Sequence, residues 1–203
     1  MGKTSIPVKE LPTHSGMVSN ILVVYSHMGH NSNVTWYQDA NDLMLETAIK
    51  HEMSIESVCG IFAAMSPQLS WERNKLEALQ FCEHGLLAGG YMQSGANLLK
   101  ANRIRNGENP LHVLGGNKVL SFYDNLLRPD DSLAVTVDRH AIKIAMYGIY
   151  FNQTGILASR SITPKAYDLV ADAYRNAASI CHLMPHQIQS ATWGFYAWAD
   201  GAF

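Results

Sequence analysis

Five times in this chain a short polar side chain stands immediately before a run of helical apolar spacing: Thr35 before Trp36, Ser54 before Ile55, Ser70 before Trp71, Asp138 before Arg139 and Thr163 before Pro164. Ser, Asp and Thr in that position accept a hydrogen bond from a backbone N–H that the first helical turn leaves unpaired. Proline suits the first turn because it has no N–H to lose. The pattern predicts helices over Trp36 to Lys50, Ile55 to Met65, Trp71 to about Leu86, Ala96 to Asn106 and Arg139 to Tyr147. Two more open at Pro164 and Pro185, the first with Tyr167, Val170, Tyr174, Ala177 and Cys181 along one face. Ser66-Pro67, Gly89-Gly90, Gly95 and Gly107-Glu-Asn-Pro110 supply the breaks. The alternation in Leu133 to Val137 is too short to require a sheet, and no repeat or low-complexity segment is present. The chain reads as all-α.

At 203 residues, 47% hydrophobic and 16% charged, it can bury a real core, and a single domain over 1–203 is the simplest expectation. No apolar run approaches the roughly 20 residues that span a bilayer. Ile21-Leu-Val-Val-Tyr25 lacks the length and cleavage site of a signal peptide, so no membrane association and a cytoplasmic location are expected. Cys59, Cys82 and Cys181 are odd in number and widely spaced, with no CxxC, and the nine histidines form no HExxH. No metal and no other cofactor is expected, and a reducing compartment fits best. Net charge is −2, but unevenly spread: the first 99 residues carry 5 basic and 9 acidic groups, the remainder 10 and 8. Lys100, Arg103, Arg105, Lys118, Arg128, Arg139 and Lys143 fall in the sequence around Asp138, as either a solvated helical surface or an anion-binding field.

Two positions in that region carry chemistry. Leu111 to Leu114 and Lys118 to Leu127 read as two short helices joined by Gly115-Gly116-Asn117, a hairpin at about 110–127. Backbone N–H groups at the second helix's start can grip a phosphate, with Gly115 and Gly116 expected to supply positive φ angles. Lys118 then lies in the first turn, where a cation meets the positive end of the helix dipole at a cost of roughly 0.3–1 kcal/mol. It is either an exposed lysine or an amine placed for use as a nucleophile, which would need desolvation or neighbouring positive charge. Twenty residues on, Asp138 follows the apolar Leu133-Ala-Val-Thr-Val137. As an N-cap it stabilises its helix by about 1 kcal/mol. Partly buried, the same carboxylate could stabilise positive charge developing at a sugar carbon, or act as a base.

Val137-Asp138-Arg139-His140 resembles the Val-Asp-Thr-His segment of helix–hairpin–helix DNA glycosylases, and Gly116-Asn117-Lys118 resembles the Gly-x-Lys end of their hairpin. Ser66-Pro67-Gln68 with Asn74-Lys75 is similar to their Ser-Ala-Gln…Asn-Lys segment. A narrower likeness, carried by 66–74, 118–126, 135–140 and Gln189-Ser-Ala-Thr-Trp193, is to the phage-associated alpha-glutamyl/putrescinyl thymine pyrophosphorylase clade of that superfamily. The resemblance implies an all-α, helix–hairpin–helix glycosylase-like bundle with a cleft between two helical lobes. It makes Asp138 the catalytic carboxylate and Lys118 the Schiff-base lysine of bifunctional members. Gln68 becomes the wedge that replaces a flipped nucleotide, and Trp71, Asn74, Gly115, Gly116, Asn117, Arg139 and His140 further DNA contacts. The chain departs from the family in three places: the first hairpin glycine is missing from Leu111-His-Val-Leu-Gly-Gly116, Arg139 replaces Thr, and the iron–sulfur cysteines are absent.

The implied partner is DNA containing modified bases, with no obligate protein partner. The implied activity is that of a hydrolase: base flipping of a hypermodified pyrimidine out of phage DNA, then cleavage of its N-glycosidic bond, with AP-lyase scission if Lys118 attacks C1′. The alternative is a transferase that displaces an activated 5-methylene group of thymine with an amine or amino acid. A non-catalytic DNA-binding or partner-binding module is the third reading. Gly2-Lys3-Thr4 copies the tail of a P-loop without its preceding glycines, and Trp193 and Trp198 could stack on bases or simply fill a core.

Overall fold

The computed structural model describes residues 5–28, 33–92, 95–153 and 161–199, with side chains left out at 88, 151–153 and 196–199. Gly2-Lys3-Thr4, most of the polar loop at His30 and the Trp198 side chain lie outside that description. Ten α-helices are described: α1 (His14–Met28), α2 (Trp36–Lys50), α3 (Ile55–Met65), α4 (Trp71–His84), α5 (Gly95–Arg105), α6 (Pro110–Val113), α7 (Asn117–Leu127), α8 (Arg139–Tyr147), α9 (Pro164–Ile180) and α10 (Pro185–Ala199). Among the described residues there is no strand, only a parallel bridge between Ile6 and Ile162, so the fold is all-α as the helix periodicity requires. No described helix is long and apolar enough to cross a membrane.

The chain forms two compact units. One takes the middle of the sequence, Gln38–Pro129, and the other its two ends, Met1–Tyr37 with Asp130–Phe203. In the middle unit α3 is the central helix. Ser54 caps it by accepting from the Ser57 N–H at 3.1 Å, and every residue from Val58 to Met65 is buried. A helix apolar on all sides must be covered on all sides, and α4, α5, α6 and α7 all pack on it. Gly60 makes this possible, since a Cβ there would stand 2.9 Å from both Cβ and Cγ of Pro110 and 3.2 Å from Ile104 Cγ2. Asn41 of α2 donates from Nδ2 to the Leu126 carbonyl at 2.7 Å, closing the C-terminal end of α7.

In the unit built from the two ends, α1 packs against α8, α9 and α10. Its stripe is Met17, Ile21 and Val24, all buried. The expected apolar face of α9 is observed for Tyr167, Val170, Tyr174 and Ala177, whereas Cys181 is the half-buried C-cap. Asn20 Nδ2 donates to the Ala145 carbonyl at 2.9 Å, tying α1 to α8.

Two predictions follow from this packing. Gly60→Ala gains about 1 kcal/mol of helix propensity, but a rigid proline ring must move, and overpacking of that kind costs about 1–3 kcal/mol. Urea unfolding should therefore show a lower midpoint for the variant. Burial pushes the thiols of Cys59 and Cys82 up to about 12, and that of half-buried Cys181 up as well. A colorimetric thiol reagent at pH 8 should thus label Cys181 in the native protein and all three cysteines only after unfolding.

Candidate functional site

Between Asp130 and α8 the chain runs without helix or sheet, yet Ser132, Val135, Thr136 and Val137 are buried. Backbone groups in such a segment must find partners locally. The Tyr167 hydroxyl donates to the Val135 carbonyl at 2.8 Å and accepts from the Val137 N–H at 3.2 Å. Ser132 Oγ accepts from the Ala134 N–H at 3.1 Å, and Arg175 Nε donates to the Leu133 carbonyl at 3.0 Å. Val135 and Val137 join the apolar core, which points Thr136 away from it.

This pinned segment delivers Asp138 to the start of α8. Asp138 is extended (φ −97°, ψ −173°), half-buried, and its Oδ1 accepts from the Ala141 N–H at 2.8 Å. The cap uses one oxygen; Oδ2 is not part of it. Arg139 beside it is exposed, and His140 meets the edge of Trp193 with ring centroids 6.0 Å apart at 89°. Thr136 faces a polar group that the sequence reading did not single out. The Tyr37 hydroxyl lies 3.2 Å from Thr136 Oγ1 and 3.3 Å from Gln189 Oε1. The motifs at 135–140 and 189–193 therefore meet within one unit. The i, i+4 spacing of Gln189 and Trp193 was the available signal for α10, whereas nothing local to Tyr37 announces these contacts.

In the middle unit, Asn109 caps α6 by accepting from the Leu111 N–H at 2.9 Å, and the chain turns through Leu114, Gly115 and Gly116 into α7. Gly116 has φ +84°, as the turn requires, but Gly115 does not lie in the positive-φ region, so only one of the two expected glycine conformations is used. A Cβ at either would meet nothing within 4 Å. α7 starts with no side-chain cap and no acidic residue in its first turn, and Asn117 and Lys118 are exposed. Its exposure means that its own unit does not desolvate the Lys118 amine.

Gln68 is exposed with φ +67°, a conformation uncommon outside glycine, at the tip of the α3–α4 connection. Trp71 is half-buried and tilted on Phe62, with centroids 6.1 Å apart. Asn74 is buried behind that tip: its Nδ2 donates to the Phe62 carbonyl at 3.1 Å and its Oδ1 is enclosed without a hydrogen bond. In this conformation Asn74 presents nothing to a partner. The basic cluster is not a uniform positive field either, since Arg103 pairs with Glu108, Arg128 with Asp124, and Arg105 reaches the Cys82 carbonyl. Among the described residues no group of His, Cys, Asp or Glu is arranged to hold a metal ion.

A family model described as a family of unknown function (DUF7178) matches residues 5–200, and the chain belongs to that family. Comparison with curated proteins and with solved structures returns no match.

Because Asn caps a helix as well as Asp, whereas Ala loses about 1 kcal/mol at such a position, the two substitutions of Asp138 should separate. Thermal unfolding should show Asp138→Asn within a degree or two of the parent and Asp138→Ala several degrees below it.

Proposed function

For this DUF7178 chain we propose a DNA glycosylase-like activity: a modified pyrimidine is turned out of DNA and its N-glycosidic bond is broken with the help of Asp138. The observation that carries this reading is the pinned, half-buried Asp138 carboxylate, whose cap employs a single oxygen. A cap alone does not need the segment before it to be held from Ser132 to Val137. A carboxylate fixed in that way can stabilise the cationic charge that develops at C1′ as the base departs. Water then adds its oxygen to C1′, and the base leaves carrying the proton.

Three further features support the reading. The start of α7 offers exposed, uncapped N–H groups beside Gly115, Gly116 and Asn117, which suit a phosphate oxygen. Gln68 is exposed at a turn where its own φ is +67°, a conformation uncommon outside glycine. The two compact helical units accord with the bundle of two lobes that the glycosylase resemblance implies. Hydrolysis requires Asp138 alone; strand scission by Lys118 would need bound DNA to desolvate its exposed amine.

The test is mass spectrometry of the products after incubation with phage DNAs carrying different hypermodified pyrimidines. Free base with abasic sites left behind is the expected product, and Asp138→Asn should abolish it while DNA binding persists. Lys118→Gln should leave base release intact and remove any strand scission. A nucleoside of altered mass still joined to its sugar would instead identify the transferase, and product from Asp138→Asn at the parent rate would end the role given to Asp138.

A further inference from the structure

We propose that Tyr167 and Tyr174, two phenols on one face of α9, are positioning residues for the Asp138 carboxylate, one fixing the chain before it and the other the chain after it. This role rests on the function proposed above and adds to it how the carboxylate is held.

The two residues are seven apart, close to two helical turns, so they share a face and stand about 10 Å from each other along α9. Both are buried, and both hydroxyls bond main chain within one short stretch. The Tyr167 hydroxyl donates to the Val135 carbonyl at 2.8 Å and accepts from the Val137 N–H at 3.2 Å. The Tyr174 hydroxyl donates to the Ala141 carbonyl at 3.4 Å. Val135 and Ala141 each stand three residues from Asp138, on opposite sides of it. Ala141 is also the residue whose N–H the carboxylate caps, at 2.8 Å. One residue therefore meets the carboxylate at its N–H and a phenol at its carbonyl.

Filling the core does not call for these hydroxyls, since phenylalanine would take the same space with no polar atom to satisfy. At 135–137 the phenol answers a need, because that stretch has no helix or ladder of its own. At Ala141 it does not: the carbonyl lies inside α8, where the N–H one turn on is its regular partner. The Tyr174 contact there supplies orientation rather than satisfaction. Burial pushes the Tyr174 phenol up, hydrogen bonding with Thr192 acts the other way, and the negative charge of Asp138 adds to the rise. The phenol thus lies within the field of the carboxylate and remains a donor at neutral pH. A cap bond ties one oxygen to one N–H but leaves the start of the helix itself to be fixed. That matters for chemistry at a single carbon, where a displacement of about 1 Å can cost roughly a hundredfold in rate.

Tyr167→Phe and Tyr174→Phe keep the rings and remove the hydroxyls, whereas Ile21→Val on α1 loosens the same core and removes none. Each variant is read by melting temperature, by hydrogen exchange of the Ala141 amide in NMR spectra, and by base release from phage DNAs carrying hypermodified pyrimidines. Fluorescence anisotropy gives the Kd for the same DNAs. Both phenylalanine variants should exchange at Ala141 about tenfold faster than the Ile21→Val control. Both should lose about tenfold in kcat while the Kd stays at the parent's. A pair that only filled the core would lower the melting temperature, as the control does, and move neither. If Tyr167→Phe does not fold, by circular dichroism, Tyr174→Phe decides. Exchange or kcat at the control's value would overturn the positioning role and leave the glycosylase reading intact. A parent that releases no base from any of these DNAs would overturn that reading, and exchange at Ala141 then decides alone whether the pair places the carboxylate.

Discussion

The segment from Ser132 to Asp138 buries Ser132, Val135, Thr136 and Val137 without belonging to a helix or a sheet, and the rest of the candidate site depends on how its backbone is satisfied. Unpaired buried N–H and carbonyl groups are too costly to leave, so side chains from elsewhere must supply what regular structure does not. One phenol does most of this: Tyr167 of α9 both donates to Val135 and accepts from Val137. The position of Asp138 is thereby set by a tyrosine whose ring also belongs to the apolar stripe of α9. Packing of the core and placement of the carboxylate are the same event. A core substitution on α9 would reach the site through this hydroxyl without touching it.

Much of the fold was legible in the sequence because the local signals agreed with one another. Ser54, Ser70, Asp138 and Thr163 cap the helices they precede, and α8 runs over Arg139–Tyr147 as its spacing predicts. The first helix was not legible. Its stripe of Met17, Ile21 and Val24 is helical in period, but Ile21 and Val24 sit inside the continuous run Ile21 to Tyr25, which hides the periodicity. Thr13 also accepts from the Gly16 N–H at 3.2 Å, a start signal obscured by a glycine and a histidine in the first turn. The bounds of the two units were not legible, although the glycosylase resemblance implies two lobes, since the division is made by contacts between segments nearly a hundred residues apart rather than by a linker.

The candidate site divides along the same line. Asp138 was legible as the cap of α8, because a cap is a local signal. That the Tyr37 hydroxyl meets Thr136 and Gln189 could not be read, because the contact arises only when the start of α2, the segment before α8 and the face of α10 come together. Asn74 shows what a motif leaves open. Its place in a motif suggested a contact with a partner, but the helix that carries it turns it inwards to the Phe62 carbonyl. Sequence order gives adjacency along the chain, while burial decides which side of the chain is available.

Charge shows why a count is a poor guide to binding. The basic residues that cluster in sequence around Asp138 include Arg103 and Arg128, and both are engaged by acidic neighbours on their own segments. Exposed pairs of this kind add little to stability, but they do cancel one another's field over distances beyond a few ångströms. What remains at the hairpin is not a patch of side-chain charge but the free N–H groups at the start of α7, with one exposed lysine among them. Backbone donors recognise a phosphate by direction as well as by charge, and they release fewer counterions than a lysine-rich surface would.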